Sequence, residues 1–183
     1  MRWDELFTDL EAQLEQAQAA ELAGEVADRT RRESSLLRLS DRLGAAVGHE
    51  LVVHCEGAGP VTGRLTEVGP DWLLLEEPSR NEVLANAVHL VDVVGLTAAT
   101  EQQDGKVWRA LDLAWALRGL ARSRVAVQVV QCSGAQRSGT LDRVGADFVE
   151  LAEHPPGEQR RRTSVHQVVV IPIAAISVVR SLR

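Results

Sequence analysis

The sequence contains no long hydrophobic run, although 45% of its 183 residues are hydrophobic. A transmembrane helix needs roughly 20 consecutive apolar residues, and no stretch of this sequence approaches that length. The N-terminal residues also lack the basic and then apolar order of a signal peptide. Because the apolar content suffices for a packed core, we predict a globular cytoplasmic protein without a membrane partner.

Cysteine and histidine are scarce, and neither is spaced for chemistry. Cys55 and Cys132 lie in similar apolar runs, which predicts two buried, reduced thiols. The histidines include no pair four residues apart, and a metal site would need several side chains to be brought together by the tertiary fold, so we predict no metal site. Glu76 and Glu77 alternate faces on a predicted strand, and no Ser-His or Cys-His motif is present. We therefore predict that the protein is not an enzyme and has no cofactor and no small-molecule substrate.

Lysine is almost absent, since Lys106 is the only one, and the formal net charge is −6. Affinity for nucleic-acid phosphates depends mainly on clustered Lys and Arg, so this charge argues against an unspecific nucleic-acid binder. The charge is unevenly distributed: residues 49–96 carry a net charge of −6 and residues 123–183 a net charge of +3. Opposite charges of this kind favour head-to-tail pairing between copies.

Helix-forming residues dominate from Trp3 to about Val47, and proline is absent there. An apolar stripe at helical spacing predicts an extended helix with a bend near residues 29–35. The stripe is buried either against the protein's own β units or against the same helix of a second copy. The residues predicted to form this helix interface are Trp3, Leu6, Phe7, Leu10 and Leu14.

From His49 onward, short runs of Val and Leu alternate with Gly, Pro and Asp, which is typical of strands and tight turns. We predict strands at about residues 50–56, 61–69, 71–77, 81–86 and 89–95. The glycine-rich segment 57–63 contains a hairpin turn, because a phosphate-binding loop would be followed by a helix. A polar linker and a further helix at residues 106–122 follow.

The most specific pattern is an internal repeat. Residues 63–77 align without a gap with residues 139–153, and seven of the fifteen positions are identical. The similarity extends from the segment 83–94 to the segment 169–179, and the second copy carries an insertion of about ten residues, 154–165. Each copy follows a predicted helix, so the repeating unit is one helix and five strands.

This order, with Gly63-x-Leu65 and Asp71-Trp72-Leu73 in the second and third strands, resembles the Sm-like fold, which includes the bacterial RNA chaperone Hfq. The resemblance covers residues 36–96 and, less closely, 112–182, and the motif is also compatible with other SH3-like barrels. It implies that each copy closes into a small five-stranded barrel.

The sequence departs from that family at the residues that bind RNA. In the chaperone, a basic residue and a histidine line the RNA pore. The matching positions here are Ala85 and Asn86 in the first copy and the segment 173–174 in the second. Asn86 is interpreted as a turn residue. The RNA-reading residues of the family are therefore missing.

One basic cluster, residues 160–162, lies in the insertion of the second copy. It is either a solvated loop or a contact for RNA phosphates or an acidic protein surface. The residues predicted for such a contact are Arg137, Arg143, Arg160, Arg161, Arg162 and Arg180.

The predicted fold class is α+β, with a long N-terminal helical region followed by two tandem Sm-like or SH3-like five-stranded β-barrels, each preceded by a helix. The predicted segments are an N-terminal helix (1–35), a first barrel with its helix (36–96), a linker (97–105) and a second barrel with its helix (106–183). For function we predict a non-enzymatic interaction or scaffold protein that binds protein partners or forms a homo-oligomer. The alternative is an RNA-binding Sm-like protein that uses the arginine-rich loop of the second barrel.

Overall fold

The computed structural model describes residues 16, 21, 22, 24, 29–32, 34–101, 108, 111–155 and 167–182. The chain divides into two compact units, Met1–Arg38 and Leu39–Arg183. In the first unit the described residues up to Leu36 are helical. The predicted helix interface at residues 3–14 lies outside the described residues, so it stays a prediction.

Ten strands form the second unit's sheet, and every neighbouring pair is antiparallel in the order β5-β1-β2-β3-β4-β10-β6-β7-β8-β9. The first five strands lie within two residues of their predicted bounds. The strands are β1 (Glu50–Cys55), β2 (Gly59–Val68), β3 (Trp72–Glu76), β4 (Glu82–Asn86), β5 (Leu90–Val94), β6 (Ala126–Gln131), β7 (Gln136–Val144), β8 (Phe148–Glu153), β9 (Gln167–Pro172) and β10 (Ile176–Ser181).

A short helix precedes each set of five strands: α1 (Leu39–Ala45) precedes β1, and α2 (Leu113–Ser123) precedes β6. Single turns of 3-10 helix, η1 (Ala87–His89) and η2 (Ile173–Ala175), connect the fourth and fifth strands of each set. Asp112 caps α2, because its carboxylate accepts a hydrogen bond from the Trp115 N–H at 2.8 Å. This cap explains why α2 begins at Leu113. Trp108, within the predicted helix 106–122, is also helical, but residues 111–112 separate it from α2.

The predicted fold class is wrong in two respects. The strands form one continuous sheet in which β4 pairs with β10, so the repeats are not two separate five-stranded barrels. The described part of the chain is mostly this sheet, and the helices whose complete bounds it contains span only 7 and 11 residues, so a long helical region does not dominate the described structure. The first error has a physical cause: β4 and β10 each present unpaired backbone groups, and two such edges in one chain satisfy each other.

The strand registers define which residues of the two repeats are equivalent. Trp72 pairs with Asn86 in the first repeat as Phe148 pairs with Pro172 in the second. Equivalent residues are therefore 76 positions apart before the insertion and 86 positions apart after it. The extra residues of the second repeat lie between β8 and β9.

Two hydrophobic cores lie on the sheet, and each contains two side chains from the other repeat. The first core consists of Leu43, Ala46, Leu51, Val53, Cys55, Val61, Leu65, Leu73, Leu75, Val83 and Ala85, with Val130 and Val178 from the second repeat. The second core consists of Leu113, Leu117, Val127, Val129, Leu141, Val149, Leu151, Ile171, Ile176 and Val179, with Trp72 and Leu84 from the first repeat.

Candidate interaction surfaces

The pairing of β4 with β10 joins the two repeats edge to edge, and we call it the internal joint. It brings the fourth strand of the first repeat beside the fifth strand of the second. Val179 lies opposite Leu84, and one further residue pair on each side completes the ladder. The internal joint therefore shows how this chain uses the edge of a five-stranded repeat.

Side chains cross the internal joint in both directions. Val130 and Val178 point away from the second core and are buried in the first core. Trp72 and Leu84 do the reverse and are buried in the second core. Full burial of a large apolar side chain contributes about 1.5–3 kcal/mol. Because four side chains cross, the joint couples the two cores.

Polar groups add contacts to the internal joint. His89 Nε2 lies 2.7 Å from the Ala174 carbonyl oxygen, which connects η1 to η2. The Arg180 guanidinium on β10 forms an ion pair with Glu77 at 3.1 Å. These contacts fix which residues face each other across the joint.

Asn86 is buried at the internal joint and uses both ends of its amide. Its Nδ2 donates to the Ile176 carbonyl oxygen at 2.9 Å, and its Oδ1 accepts from the Val88 N–H at 3.1 Å. The second bond caps η1, which agrees with the predicted turn role. The first bond crosses between the repeats, which the sequence did not predict.

Asn86→Ala is expected to lower the free energy of unfolding by about 1–3 kcal/mol, because a buried carbonyl and a backbone N–H both lose their partner. Urea denaturation followed by circular dichroism measures the loss. Asn81→Ala is the matched control, since Asn81 lies in the turn before β4, outside the joint. Its effect should stay within about 0.5 kcal/mol. Equal effects of the two variants would contradict the role of Asn86.

Residues at the start of β3 position the helix of the other repeat. Asp71 Oδ1 accepts from the Leu113 N–H at 2.8 Å, and Trp72 Nε1 donates to the Leu111 carbonyl oxygen at 2.7 Å. Burial raises the pKa of the Asp71 carboxyl above its usual value, and the hydrogen bond from Leu113 opposes that rise. The start of α2 is therefore fixed by the first repeat.

β5 and β9 are the end strands of the sheet, and within the described part of the chain neither pairs with a second strand. We call them the free edges. Four of their valines are between 55% and 66% exposed: Val91, Val94, Val168 and Val170. The residue equivalent to Val170 at the internal joint is Leu84, which is only 4% exposed. Each free edge thus resembles one strand of the internal joint without its partner strand.

Natural sheets usually protect end strands with charged residues, proline, bulges or short strands, because an open edge pairs with other chains. The only proline of β9 is Pro172, at the last position of the strand. It lies beyond the three residues that are equivalent to the paired part of β4. Backbone donors at Val169, Val170 and Ile171 are therefore retained.

The arginines predicted to contact RNA or an acidic partner are not gathered at one place in the described structure. Arg160, Arg161 and Arg162 lie outside the described residues. The other three form ion pairs at 3.1–3.5 Å: Arg137 with Glu153, Arg143 with Glu150, and Arg180 with Glu77.

Another basic surface, of which the sequence analysis named only Arg143, borders a shallow depression between α2 and β7. Its arginines are Arg118, Arg122, Arg124 and Arg143. Arg118 and Arg122 are four residues apart, so they share one face of α2, and this spacing was readable in the sequence. Arg124 and Arg143 join them only through the tertiary fold. We call this surface the arginine depression.

Among the described residues, no group of three or more His, Cys, Asp or Glu side chains is placed to hold a metal ion. Cys55 and Cys132 are free thiols, of which Cys55 is buried and Cys132 half-buried. Burial raises the pKa of the Cys55 thiol to about 11, so it stays protonated and unreactive at neutral pH.

Comparisons with known proteins place the chain in no family, since no protein-family model and no curated protein matches it. The resemblance to the Sm-like fold therefore stays a prediction. Within the described ranges, no helix has the length and apolar character needed to cross a bilayer.

Proposed function

We propose that this protein is a non-enzymatic, cytoplasmic scaffold that holds protein partners by strand addition at its free edges. The exposed valines of β5 and β9 are the observation that carries this proposal. A strand placed beside either edge gains backbone hydrogen bonds and covers these side chains. The same kind of contact holds the two repeats together at the internal joint.

The test is the binding of a fluorescein-labelled peptide with the sequence of residues 87–95, which includes β5. Light scattering first identifies a protein concentration at which the chain is monomeric, and fluorescence anisotropy is titrated there. We expect saturable binding that Val170→Lys weakens at least about tenfold, because covering a lysine ammonium costs more than about 1.4 kcal/mol.

Val47→Lys is the matched control for this titration. Val47 is also exposed, but it follows α1 and belongs to neither free edge. The Val47→Lys variant should bind the peptide with the same affinity as the unmodified protein. A peptide that fails to bind, or that binds Val170→Lys equally well, overturns the proposal.

RNA binding is the second candidate function, and the arginine depression favours it. Guanidinium groups recognise phosphates through paired hydrogen bonds. Trp115, also on α2, is exposed and offers a face on which a base can stack. Two of the arginines already pair with carboxylates, Arg124 with Asp142 and Arg143 with Glu150, which lowers the charge available to phosphates.

The test of the RNA candidate is retardation of a mixed pool of short RNAs by protein freed of nucleic acid with nuclease and high salt. Salt-sensitive retardation that weakens in Arg118→Ser/Arg122→Ser would support this function. Absence of retardation at low salt would reject it. The peptide titration is independent of this result, because the two tests probe different surfaces.

A further inference from the structure

We infer that the partner at the free edges is a second copy of this chain, whose β5 pairs with β9 in the register of the internal joint and buries the His54–Asp92 pair. This inference rests on the proposed strand addition and names its partner. The free strands are suited to each other by origin: β9 is the fourth strand of its repeat and β5 is the fifth, as β4 and β10 are at the internal joint.

The repeat equivalences define the register between two copies. Val93 of one copy lies opposite Val170 of the other, as Val179 lies opposite Leu84 within the chain. The flanking pairs follow in the same way. They are Asp92 with Ile171 and Val94 with Val169.

Burial at the internal joint indicates what this contact would cover. Val170 is equivalent to Leu84, and Val91 is equivalent to Ser177; both residues at the internal joint are buried, whereas both valines are exposed. A second copy therefore satisfies the apolar character of the edges.

One pair of side chains distinguishes the contact between copies from the internal joint. Val130 and Val178 pair across β6 and β10 and fill the first core. The equivalent residues of the first repeat are His54 and Asp92, which pair across β1 and β5. His54 Nδ1 lies 2.5 Å from Asp92 Oδ1, and the two side chains are 38% and 57% exposed. In the inferred register this pair enters the second core of the neighbouring copy.

Burying a hydrogen-bonded histidine and carboxylate costs desolvation free energy that a pair of valines avoids. The contact between copies also lacks polar contacts of the internal joint, because Pro172 replaces Asn86 and Ala175 replaces His89 at the equivalent positions. Both differences weaken the contact between copies relative to the internal joint. The chain thus contains one permanent joint and one reversible joint.

The experiment measures mass by light scattering and sedimentation over a concentration series for the full chain and its variants. The unmodified chain should assemble reversibly with rising concentration. His54→Val/Asp92→Val reproduces the Val130–Val178 pair, so it should tighten assembly by about tenfold or more, because two apolar side chains then replace a polar pair that loses its hydration on burial. Each single substitution should weaken assembly by about tenfold or more, because it leaves the remaining polar side chain without its partner inside the neighbouring copy's core.

Val170→Lys is the control for specificity and should return both the unmodified chain and the double variant to monomers. Urea denaturation verifies that every variant is folded. If Asp92→Val alone tightens assembly as much as the double variant does, Asp92 only hinders strand pairing at the edge. The inferred burial of the His54–Asp92 pair is then wrong. If the double variant associates regardless of Val170→Lys, its association is unspecific and the inferred register is wrong. If unmodified chain and double variant both stay monomeric while peptide 87–95 still binds, the partner is not a second copy, but the proposed scaffold function stands.

Discussion

Trp72→Ala is expected to lower the free energy of unfolding by about 3–5 kcal/mol, as large core truncations do. Trp72 belongs to β3 of the first repeat, yet its indole fills the second core and donates to the Leu111 carbonyl oxygen. The truncation leaves a cavity beside α2 and an unpaired carbonyl group. Urea denaturation, followed by circular dichroism, measures the loss.

Phe148→Ala is the matched variant, because Phe148 is equivalent to Trp72 in the second repeat. Phe148 is only half-buried, since it lies beside the free edge and no second core among the described residues covers it. At a concentration where the chain is monomeric, Phe148→Ala should therefore destabilise clearly less than Trp72→Ala. If the two variants lose the same free energy of unfolding, the deeper burial of Trp72 in the second core does not contribute to stability.

Gly57→Ala is the second substitution with a large expected effect. It should lower the free energy of unfolding by about 2–5 kcal/mol. Gly57 lies in the turn between β1 and β2 with φ of +72°, and a Cβ there would meet the carbonyl oxygens of Gln131 and Cys132. Those two residues lead into the turn between β6 and β7, so the equivalent hairpins of the two repeats touch. The expected loss combines left-handed strain of about 1–2 kcal/mol with steric displacement of about 1–3 kcal/mol.

Gly59→Ala separates these two contributions. Gly59 has a similar φ of +70°, but a Cβ there meets nothing within 4 Å. Gly59→Ala should therefore lower the free energy of unfolding only by the left-handed strain, which is about 1–2 kcal/mol. Urea denaturation of both variants gives the difference, which measures the contact between the hairpins. If Gly57→Ala proves no worse than Gly59→Ala, the hairpins do not pack closely.

The strands of the first repeat could be located from sequence because their turns and apolar alternation are local properties. The repeat was equally readable, and some of its identities have a steric cause. Gly63 and Gly139 are matching glycines because a Cβ at either position would meet the backbone of the facing strand, at Glu76 and Ala152. These features depend on neighbours within one hairpin, so the sequence was sufficient to predict them.

The internal joint was not predictable in the same way, because it depends on which distant strand covers an outward face. β6 contains the adjacent valines Val129 and Val130, which face the two different cores. Adjacent apolar residues of this kind are typical of strands buried on both faces. They do not indicate what lies on the second face. The arginine depression was missed for the same reason, since Arg143 reaches it only through the packing of α2 on β7.

The internal joint also affects how the chain folds. The Glu82 N–H donates to Ser181 Oγ, a residue 99 positions further along the chain. Hairpins form quickly because their contacts are local, whereas contacts of such large sequence separation form late and slowly. During synthesis, the outward face of the first repeat therefore stays uncovered until β10 has been made. In that interval its β4 edge can accept a strand from a neighbouring chain, so crowding of newly made chains would favour exchange of β10 between copies over closure within one.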